Sequence, residues 1–341
     1  STHQVFPESG IYAKFDGSTI AENNTNVPTL PTDINGTDAN NHCQMYIKVF
    51  ERYSAPPTDP PALYASATSN TVQVIKGKKE MDEWLVFKTI DQEYIFGGGS
   101  SNKWLTDNED FQKIRVDETL YFFMVFATTG DPYNLVVTFL DSAGVSLGTV
   151  TTANTTHPVA GIALTWAWLV ANDPGGDIDN VASLKIQIND GVIEFSDTLD
   201  IDIDRTCAVE SYQMVFLSQI GALDAFSFNR LGVKTMTTKA QSYQTTKGGF
   251  VGASYDFNTI NSQRANYQIS SNKKLKLSSG WLSDAHKEYL IDNLIQSPYI
   301  LKDGQRVANL PATMRYDKRR FDTLFNIEID LDLGSFNSAI V

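Results

Sequence analysis

The stretch from Tyr212 to Phe228 most constrains the fold, because its side chains follow the two-residue period of a half-buried β-strand. Its large apolar residues occupy alternate positions: Tyr212, Met214 and Phe216, then Phe226 and Phe228. Gly221 and Asp224 lie between these two groups and are typical of a tight turn or a bulge. The pattern predicts two strands joined by a turn, with the rings of Phe216, Phe226 and Phe228 buried.

Alternating segments before and after this stretch predict a mainly β protein. Short strands separated by turn residues across 63–205 are typical of an antiparallel β-sandwich, here of a jelly-roll-like kind. Within this block Leu120–Ala127 is nearly all apolar, which predicts a central strand buried on both faces. Residues 206–341 predict a second β-rich module, since a chain of 341 residues usually forms two or three domains.

One helix is expected, and it lies in the second module. Ser283 is a favourable N-cap, and the apolar spacing of Leu290 and Leu294 predicts a helix over 284–296. Pro298 ends this helix, since the residue before a proline disfavours helical geometry. No helical periodicity of useful length precedes it. Strands are predicted on either side, at Lys234–Tyr243, Phe250–Asn258, Gln263–Ile269, Lys273–Leu277 and Asp322–Leu333.

Residues 1–62 form a loop-rich N-terminal segment with many Asn, Thr, Asp and Pro residues. One strand is predicted in it, His42–Tyr53, and the proline pairs at 56–57 and 60–61 end that strand because proline cannot donate to a ladder. The segment is either a system of surface loops or an arm that becomes ordered against a neighbouring subunit.

The composition limits the classes of protein to consider. A hydrophobic content of 42% and a charged content of 20% are typical of a globular chain. The formal net charge of −13 argues against a phosphate-binding surface as the main function, so no nucleic-acid partner is expected. The sequence has no run of about 18 apolar residues that would predict a membrane span. Its first ten residues, STHQVFPESG, lack the features of a signal peptide.

The two cysteines, Cys43 and Cys207, are far apart and have no metal-type spacing. Two unlinked, buried thiols are the favoured interpretation, and a disulfide is the alternative.

Sequence motifs for catalysis, metal binding or phosphate binding are absent. Each of the four histidines lacks a neighbouring ligand at zinc spacing: His3, His42, His157 and His286. The glycine run 97–99 lacks the spacing and the following helix of a phosphate-binding loop, so a flexible loop is expected there. We therefore expect no enzyme activity, no cofactor and no metal.

Two tryptophans form a candidate binding site. Trp166 and Trp168 fall on one face of a predicted strand, Ala163–Val170. They either pack in the core of the sandwich or form an exposed platform for a sugar ring.

Three carboxylates, Asp200, Asp202 and Asp204, alternate with apolar residues and predict a solvated strand face. Calcium coordination is one alternative. A hydrolase is another, in which Asp200 and Asp202, ~6–7 Å apart on one strand face, act as acid and base.

A dense basic cluster precedes the closing strand: Arg315, Lys318, Arg319 and Arg320. It is interpreted as a solvated turn or, alternatively, as a salt-bridged contact with an acidic neighbour in an assembly.

Two segments of the second module carry a family resemblance. Val215–Phe228, VFLSQIGALDAFSF, resembles the FLN-x-x-G-G-x-D-x-F-x-F segment of uncharacterised virion structural proteins from tailed bacteriophages and their prophages. The later block resembles the C-terminal module of the same family: Trp281–Ser283, Gln296–Tyr299, Asp303–Gly304 and the basic closing segment RRFDTLFNIEIDLDL. The resemblance covers Cys207–Leu333.

The resemblance implies a structural subunit of the virion, a tail or baseplate component that acts through assembly and carries no catalytic residues. Such a subunit is made in the host cytoplasm, and its partners are copies of itself and other virion proteins. Two other functions stay open. One is a glycan-binding adhesin or receptor-binding protein that uses Trp166 and Trp168 on a host-surface glycan. The other is a surface-polysaccharide hydrolase.

Overall fold

The computed structural model describes residues 27–28, 30–35, 37–38, 42–45, 48–53, 62–68, 72–75, 95–96, 103–106, 112–126, 130–157, 159–189, 196–206, 210–229, 232–244, 248–257, 264–309 and 325–339. Strands account for 60% and helices for 11%, so the mainly β prediction is confirmed. The chain divides into two compact units. Unit 1 contains Ser1–Arg205 and Leu217–Asp224, and unit 2 contains Thr206–Phe216 and Ala225–Val341.

The N-terminal part of unit 1 contains five strands: β1 (Thr37–Asp38), β2 (His42–Met45), β3 (Lys48–Tyr53), β4 (Ala62–Thr68) and β5 (Val72–Ile75). β2 pairs with β5, and β3 pairs with β4. The single predicted strand His42–Tyr53 is therefore two strands with different partners. The alternating sequence pattern covers both strands, so it could not indicate that their pairing partners differ.

Two sheets form the sandwich of unit 1. Its remaining strands are β6 (Ile95–Phe96), β7 (Gln112–Ile114), β8 (Thr119–Phe126), β9 (Pro132–Leu140), β10 (Ser146–Thr155), β11 (Val159–Thr165), β12 (Ser183–Asn189) and β13 (Leu199–Ile203). One sheet has the order β1-β11-β8-β6 and the other β10-β9-β12-β13-β7. A single buried cluster takes side chains from both sheets, as in a sandwich. Two edge pairs, β6 with β8 and β13 with β7, are parallel rather than antiparallel.

β8 is buried on both faces, as its apolar sequence predicts. Phe122 and Met124 point into the sandwich cluster, and Phe123, between them in the chain, is also almost completely buried. Phe123 lies opposite Gly161 of β11. A Cβ atom at Gly161 would come within 2.8 Å of Cε1 of Phe123, so the ring occupies the space that a larger residue would need.

A short helix replaces the second half of the predicted strand Ala163–Val170, which is therefore wrong. β11 ends at Thr165, and α1 spans Trp166–Asn172. The Trp168 N–H donates to Oγ1 of Thr165 at 3.1 Å, a typical N-cap hydrogen bond. With seven residues the helix is too short to produce a clear helical period. A 3₁₀ turn follows at Ile178–Asn180.

Unit 2 is built on one seven-stranded sheet with the order β15-β14-β20-β21-β22-β19-β16. Its strands, with a separate hairpin of β17 and β18, are β14 (Tyr212–Leu217), β15 (Leu223–Phe228), β16 (Val233–Gln244), β17 (Gly248–Val251), β18 (Ser254–Phe257), β19 (Arg264–Leu282), β20 (Ile300–Lys302), β21 (Gln305–Asn309) and β22 (Phe325–Ala339). The predicted strand Phe250–Asn258 is wrong, because the chain turns at Gly252, whose φ is +66°. The described residues of the predicted segments Gln263–Ile269 and Lys273–Leu277 belong to one continuous strand, β19.

The predicted helix of unit 2 is confirmed. α2 spans Asp284–Leu290 and continues into a π-helical turn at Ile291–Ile295. The His286 N–H donates to Oγ of Ser283 at 3.3 Å, which identifies Ser283 as the N-cap. Leu290 and Leu294 are buried in the cluster of unit 2.

The strands β14 and β15 confirm most of what the pattern of Tyr212–Phe228 predicts. Tyr212, Met214, Phe216 and Phe228 are buried in one cluster, and Gly221 has a φ of +90°. Phe226 is only partly buried against this cluster, so the prediction that its ring is buried is confirmed only in part. Asp224 is not a turn residue. It lies in β15, is 2% exposed, and accepts a hydrogen bond from the Thr106 hydroxyl at 3.1 Å.

Candidate functional site

Trp166 and Trp168 do not share a face. They are two residues apart on α1, where residues i and i+2 point in different directions. Both indole rings are partly buried and pack against the cluster of the sandwich. The prediction that both tryptophans lie on one strand face is therefore wrong, and the sugar platform depended on that face.

The three alternating carboxylates lie in two different environments. Asp200 and Asp202 are exposed, and Lys185 lies opposite Asp200 with its Nζ 3.9 Å from Oδ1. Asp204 is half-buried and accepts from Nε of the buried Arg115 at 2.9 Å and also from its Nη2. In the described part of the chain, no group of three His, Cys, Asp or Glu side chains could hold a metal ion. The predicted solvated face thus holds for Asp200 and Asp202 but not for Asp204.

Several predicted features lie outside the described residues. They are the basic cluster Arg315, Lys318, Arg319 and Arg320, the glycine run 97–99, Cys207 and the side chain of Cys43. The interpretations of these residues stay predictions.

The most distinctive surface of the described chain is an extended strand pair in unit 2. β16 pairs with β19 from Val233 opposite Lys276 to Gln244 opposite Arg264, with an irregularity at Gln241 and Ser242. We call β16 and residues 264–276 of β19 the ribbon. β16 is an edge strand, and all twelve of its residues are exposed.

The ribbon extends beyond the hydrophobic cluster of unit 2. β19 contributes Leu275, Leu277 and Leu282 to that cluster, all at its C-terminal end. Among the described residues, β16 contributes none. A strand normally buries at least one face, whereas β16 leaves both of its faces exposed. Among the described residues, the contacts of its side chains include Tyr212 and Tyr267.

The ribbon is anchored where it leaves the cluster. Tyr212 packs there, with Nζ of Lys234 and Nζ of Lys302 each 5.5 Å from the centre of its ring. The Tyr212 hydroxyl donates to the Glu210 carboxylate, and this hydrogen bond raises the pKa of Tyr212. A Cβ atom at Gly232 would come within 2.8 Å of the Tyr212 ring, so the chain enters β16 directly against that ring.

The ribbon is basic although the chain is acidic. Residues 233–277 contain seven Lys and Arg residues and one carboxylate, Asp256, which gives a net charge of +6. The whole chain carries −13, so the remaining residues carry −19. Lys276 pairs with Glu328 at 2.7 Å, and this carboxylate raises the pKa of Lys276. Lys239, Lys273 and Lys274 are exposed and have no ion-pair partner among the described residues.

Large apolar side chains are also exposed on this part of the chain. Of the twelve exposed large hydrophobic residues in the described chain, seven lie on the ribbon and on the hairpin that joins its strands: Val233, Met236, Tyr243, Phe250, Val251, Tyr255 and Tyr267. We call this hairpin, residues 248–257, the tip. Phe250 and Val251 are 76% and 72% exposed, and the Phe250 ring meets Tyr255 edge to face at 5.2 Å. Exposed apolar groups at this density mark an interaction surface.

Sequence reasoning located the strands of the ribbon but missed their exposure and their charge. Lys234–Tyr243 was predicted as an ordinary strand, and Lys274 and Lys276 as the outer face of another. The basic charge could have been found in the composition, because the 45 residues 233–277 contain seven basic residues and only one acidic residue. Exposure could not be predicted, since alternation alone does not show where a hydrophobic core ends.

No protein-family model matches the chain, and none of the curated proteins matches it either. No helix in the described part of the chain has the length and apolar character required to cross a membrane.

Proposed function

We propose that this protein is a structural subunit of a tailed-bacteriophage virion, a tail or baseplate component that works by assembly rather than by chemistry. The observation that carries the proposal is the ribbon, a long strand pair whose edge strand exposes both faces. Holding a residue in a strand costs about 1–2 kcal/mol of backbone entropy, which side-chain burial normally offsets. A neighbouring molecule that covers the ribbon would supply this burial.

The side chains of the ribbon and the tip suit a protein partner. Aromatic residues, Met and Arg are enriched in protein interfaces, and Tyr is a frequent energetic centre. Tyr243 and Tyr267 lie side by side on the ribbon with ring centres 6.3 Å apart, and the Tyr267 hydroxyl donates to Oε1 of Gln241 at 2.6 Å. Phe250 and Val251 extend this apolar character to the tip.

The resemblance of 215–228 and 281–333 to virion structural proteins supports the same proposal. As this resemblance implies, we propose that the protein is part of the virion and that its partners are copies of itself and other virion proteins. The proposal assigns no catalytic residues. Of the candidate acid and base, Asp200 lies 3.9 Å from Nζ of Lys185, and Asp202 lies opposite Ser183.

Incorporation into particles tests this proposal. The chain is supplied in trans to a phage that lacks it, and purified particles are analysed by mass spectrometry. We expect the wild-type chain in the particles and expect Phe250→Ser/Val251→Ser to remain folded but be excluded. Val170→Ser is the control, because Val170 is half exposed on α1 of unit 1. Particles that lack the wild-type chain, or that incorporate the Phe250/Val251 variant at wild-type level, would refute the proposal.

A further inference from the structure

We infer that the ribbon of one copy binds an acidic surface on a second copy of this chain, and that this contact is heterologous rather than a twofold contact between two ribbons. The inference rests on the proposed function and specifies one partner for the surface described above. Two observations lead to it: the charge of the ribbon and its position at a sheet edge.

The charge points to a second copy. A surface with a net charge of +6 favours a negatively charged partner, and the rest of this chain carries −19. A second copy is therefore a complementary partner that is present wherever the protein is made. Opposite potentials on two surfaces accelerate their encounter and suppress wrong orientations.

The charge also distinguishes two ways of pairing the edge. The outer edge of β16, a strand of twelve residues, has no strand partner among the described residues, and exposed edges of this length invite pairing with another strand. If two β16 edges paired about a twofold axis, a ribbon of +6 would face another ribbon of +6. The three exposed lysines at 239, 273 and 274, which lack ion-pair partners among the described residues, would then repel their counterparts. A heterologous contact avoids this repulsion.

The two arrangements produce different assemblies. In a heterologous contact each copy uses its ribbon on one neighbour and offers its acidic surface to another, so the copies form a ring or an open filament. In a twofold contact the copies stop at a dimer.

Reversing the charge of three lysines of the ribbon distinguishes the heterologous from the twofold contact. Lys239→Glu/Lys273→Glu/Lys274→Glu changes the net charge of residues 233–277 from +6 to zero. All three side chains are exposed, but Lys274 lies opposite Asp332 of β22, so the thermal unfolding of the variant is measured together with its association. For a heterologous contact, we expect the association constant of the purified chain to fall about tenfold or more, as measured by sedimentation or mass photometry. For a twofold contact, the same variant would associate more tightly because the repulsion is removed.

Three controls sharpen the result. Lys103→Glu/Lys113→Glu/Lys185→Glu causes the same change in net charge outside the ribbon, and we expect it to assemble like the parent or better. The variant Lys239→Gln/Lys273→Gln/Lys274→Gln leaves the ribbon with a net charge of +3, and we expect an intermediate loss of association. Assembly of the wild-type chain should weaken as salt rises from about 50 to about 500 mM, because salt screens exposed charges.

Mixing provides an independent readout. The charge-reversed chain keeps its acidic surface, so it should bind the ribbon of a wild-type copy and end the growing assembly, which lowers the mean mass of the mixture. An unchanged mean mass would overturn the inference, as would tighter association of the charge-reversed chain. A wild-type chain that stays monomeric would also overturn it. Incorporation into particles is measured separately, so the proposed function could still hold in that case through other virion proteins.

Discussion

Phe228 and Phe226 test the packing of β15, because both lie on this strand and they differ in burial. Phe228 is 0% exposed within the cluster of unit 2, whereas Phe226 is partly buried against it. Their rings meet edge to face with centres 5.1 Å apart. We expect Phe228→Ala to lower the free energy of unfolding of unit 2 by about 3–5 kcal/mol, as for other buried phenylalanines.

The magnitude has three contributions. Full burial of a phenylalanine side chain contributes roughly 1.5–3 kcal/mol, and the ring pair adds about 0.5–1.5 kcal/mol. The cavity left behind by Phe228→Ala accounts for the rest. Phe226→Ala loses the same ring pair but only part of the burial, and water can fill the space it leaves. We therefore expect about 1.5–3 kcal/mol for Phe226→Ala.

Native-state hydrogen exchange in increasing urea is the appropriate assay, because it reports the stability of β14, β15 and β19 separately from unit 1. The double variant should cost less than the sum of the two single variants, by about the 0.5–1.5 kcal/mol of the shared ring pair. Equal losses for the two single variants, or a parental unfolding midpoint for Phe228→Ala, would show that the assignment of the buried face is wrong.

Three further predictions concern single sites. Gly161→Ala should destabilise the sandwich by about 1–3 kcal/mol in thermal unfolding, because the new methyl group would overlap the Phe123 ring; Gly175→Ala, with an ordinary contact distance of 3.6 Å, is the neutral control. Ser283→Ala should cost about 0.5–2 kcal/mol and increase amide exchange in the first turn of α2, whereas Ser283→Asp, which can still cap the helix, should not. Burial raises the pKa of the Tyr133 phenol above its ordinary value of 10.0, so the folded chain retains a proton that the unfolded chain releases and stability falls as the pH rises above 10.0. Tyr133→Phe should remove that part of the fall and change stability little at pH 7, because the hydroxyl has no hydrogen-bond partner among the described residues; equal alkaline unfolding curves for parent and variant would refute this.

Local patterns in the sequence predicted those elements whose signal is itself local. The N-cap at Ser283 and the spacing of Leu290 and Leu294 identify α2, because capping and four-residue spacing are properties of a single turn. The alternation of Leu275 and Leu277 with lysines likewise identifies the buried face of β19. In both cases one face is apolar and the other polar.

Elements that depend on the tertiary structure were missed. In the segment Trp166–Ala171 all six residues are apolar, so neither the strand period nor the helix period stands out, and the Thr165 cap decides the outcome. Asp224 has the composition of a turn residue, but a hydroxyl 118 positions away makes its burial in a strand favourable. The exposure of β16 depends on where the cluster of unit 2 ends, which no local window contains.

The register of the ribbon is determined at one end only. Leu275 and Leu277 are completely buried, and a shift of β19 by one residue would turn both of them to solvent. The outer residues of β19 inherit this register, pair with β22 from Gln268 onward and hold β16 in turn. Substitutions at the exposed positions of β16 should therefore have a small folding cost. The exposed positions of β16 are therefore those at which this sheet can change its side chains with the least effect on the buried cluster of unit 2.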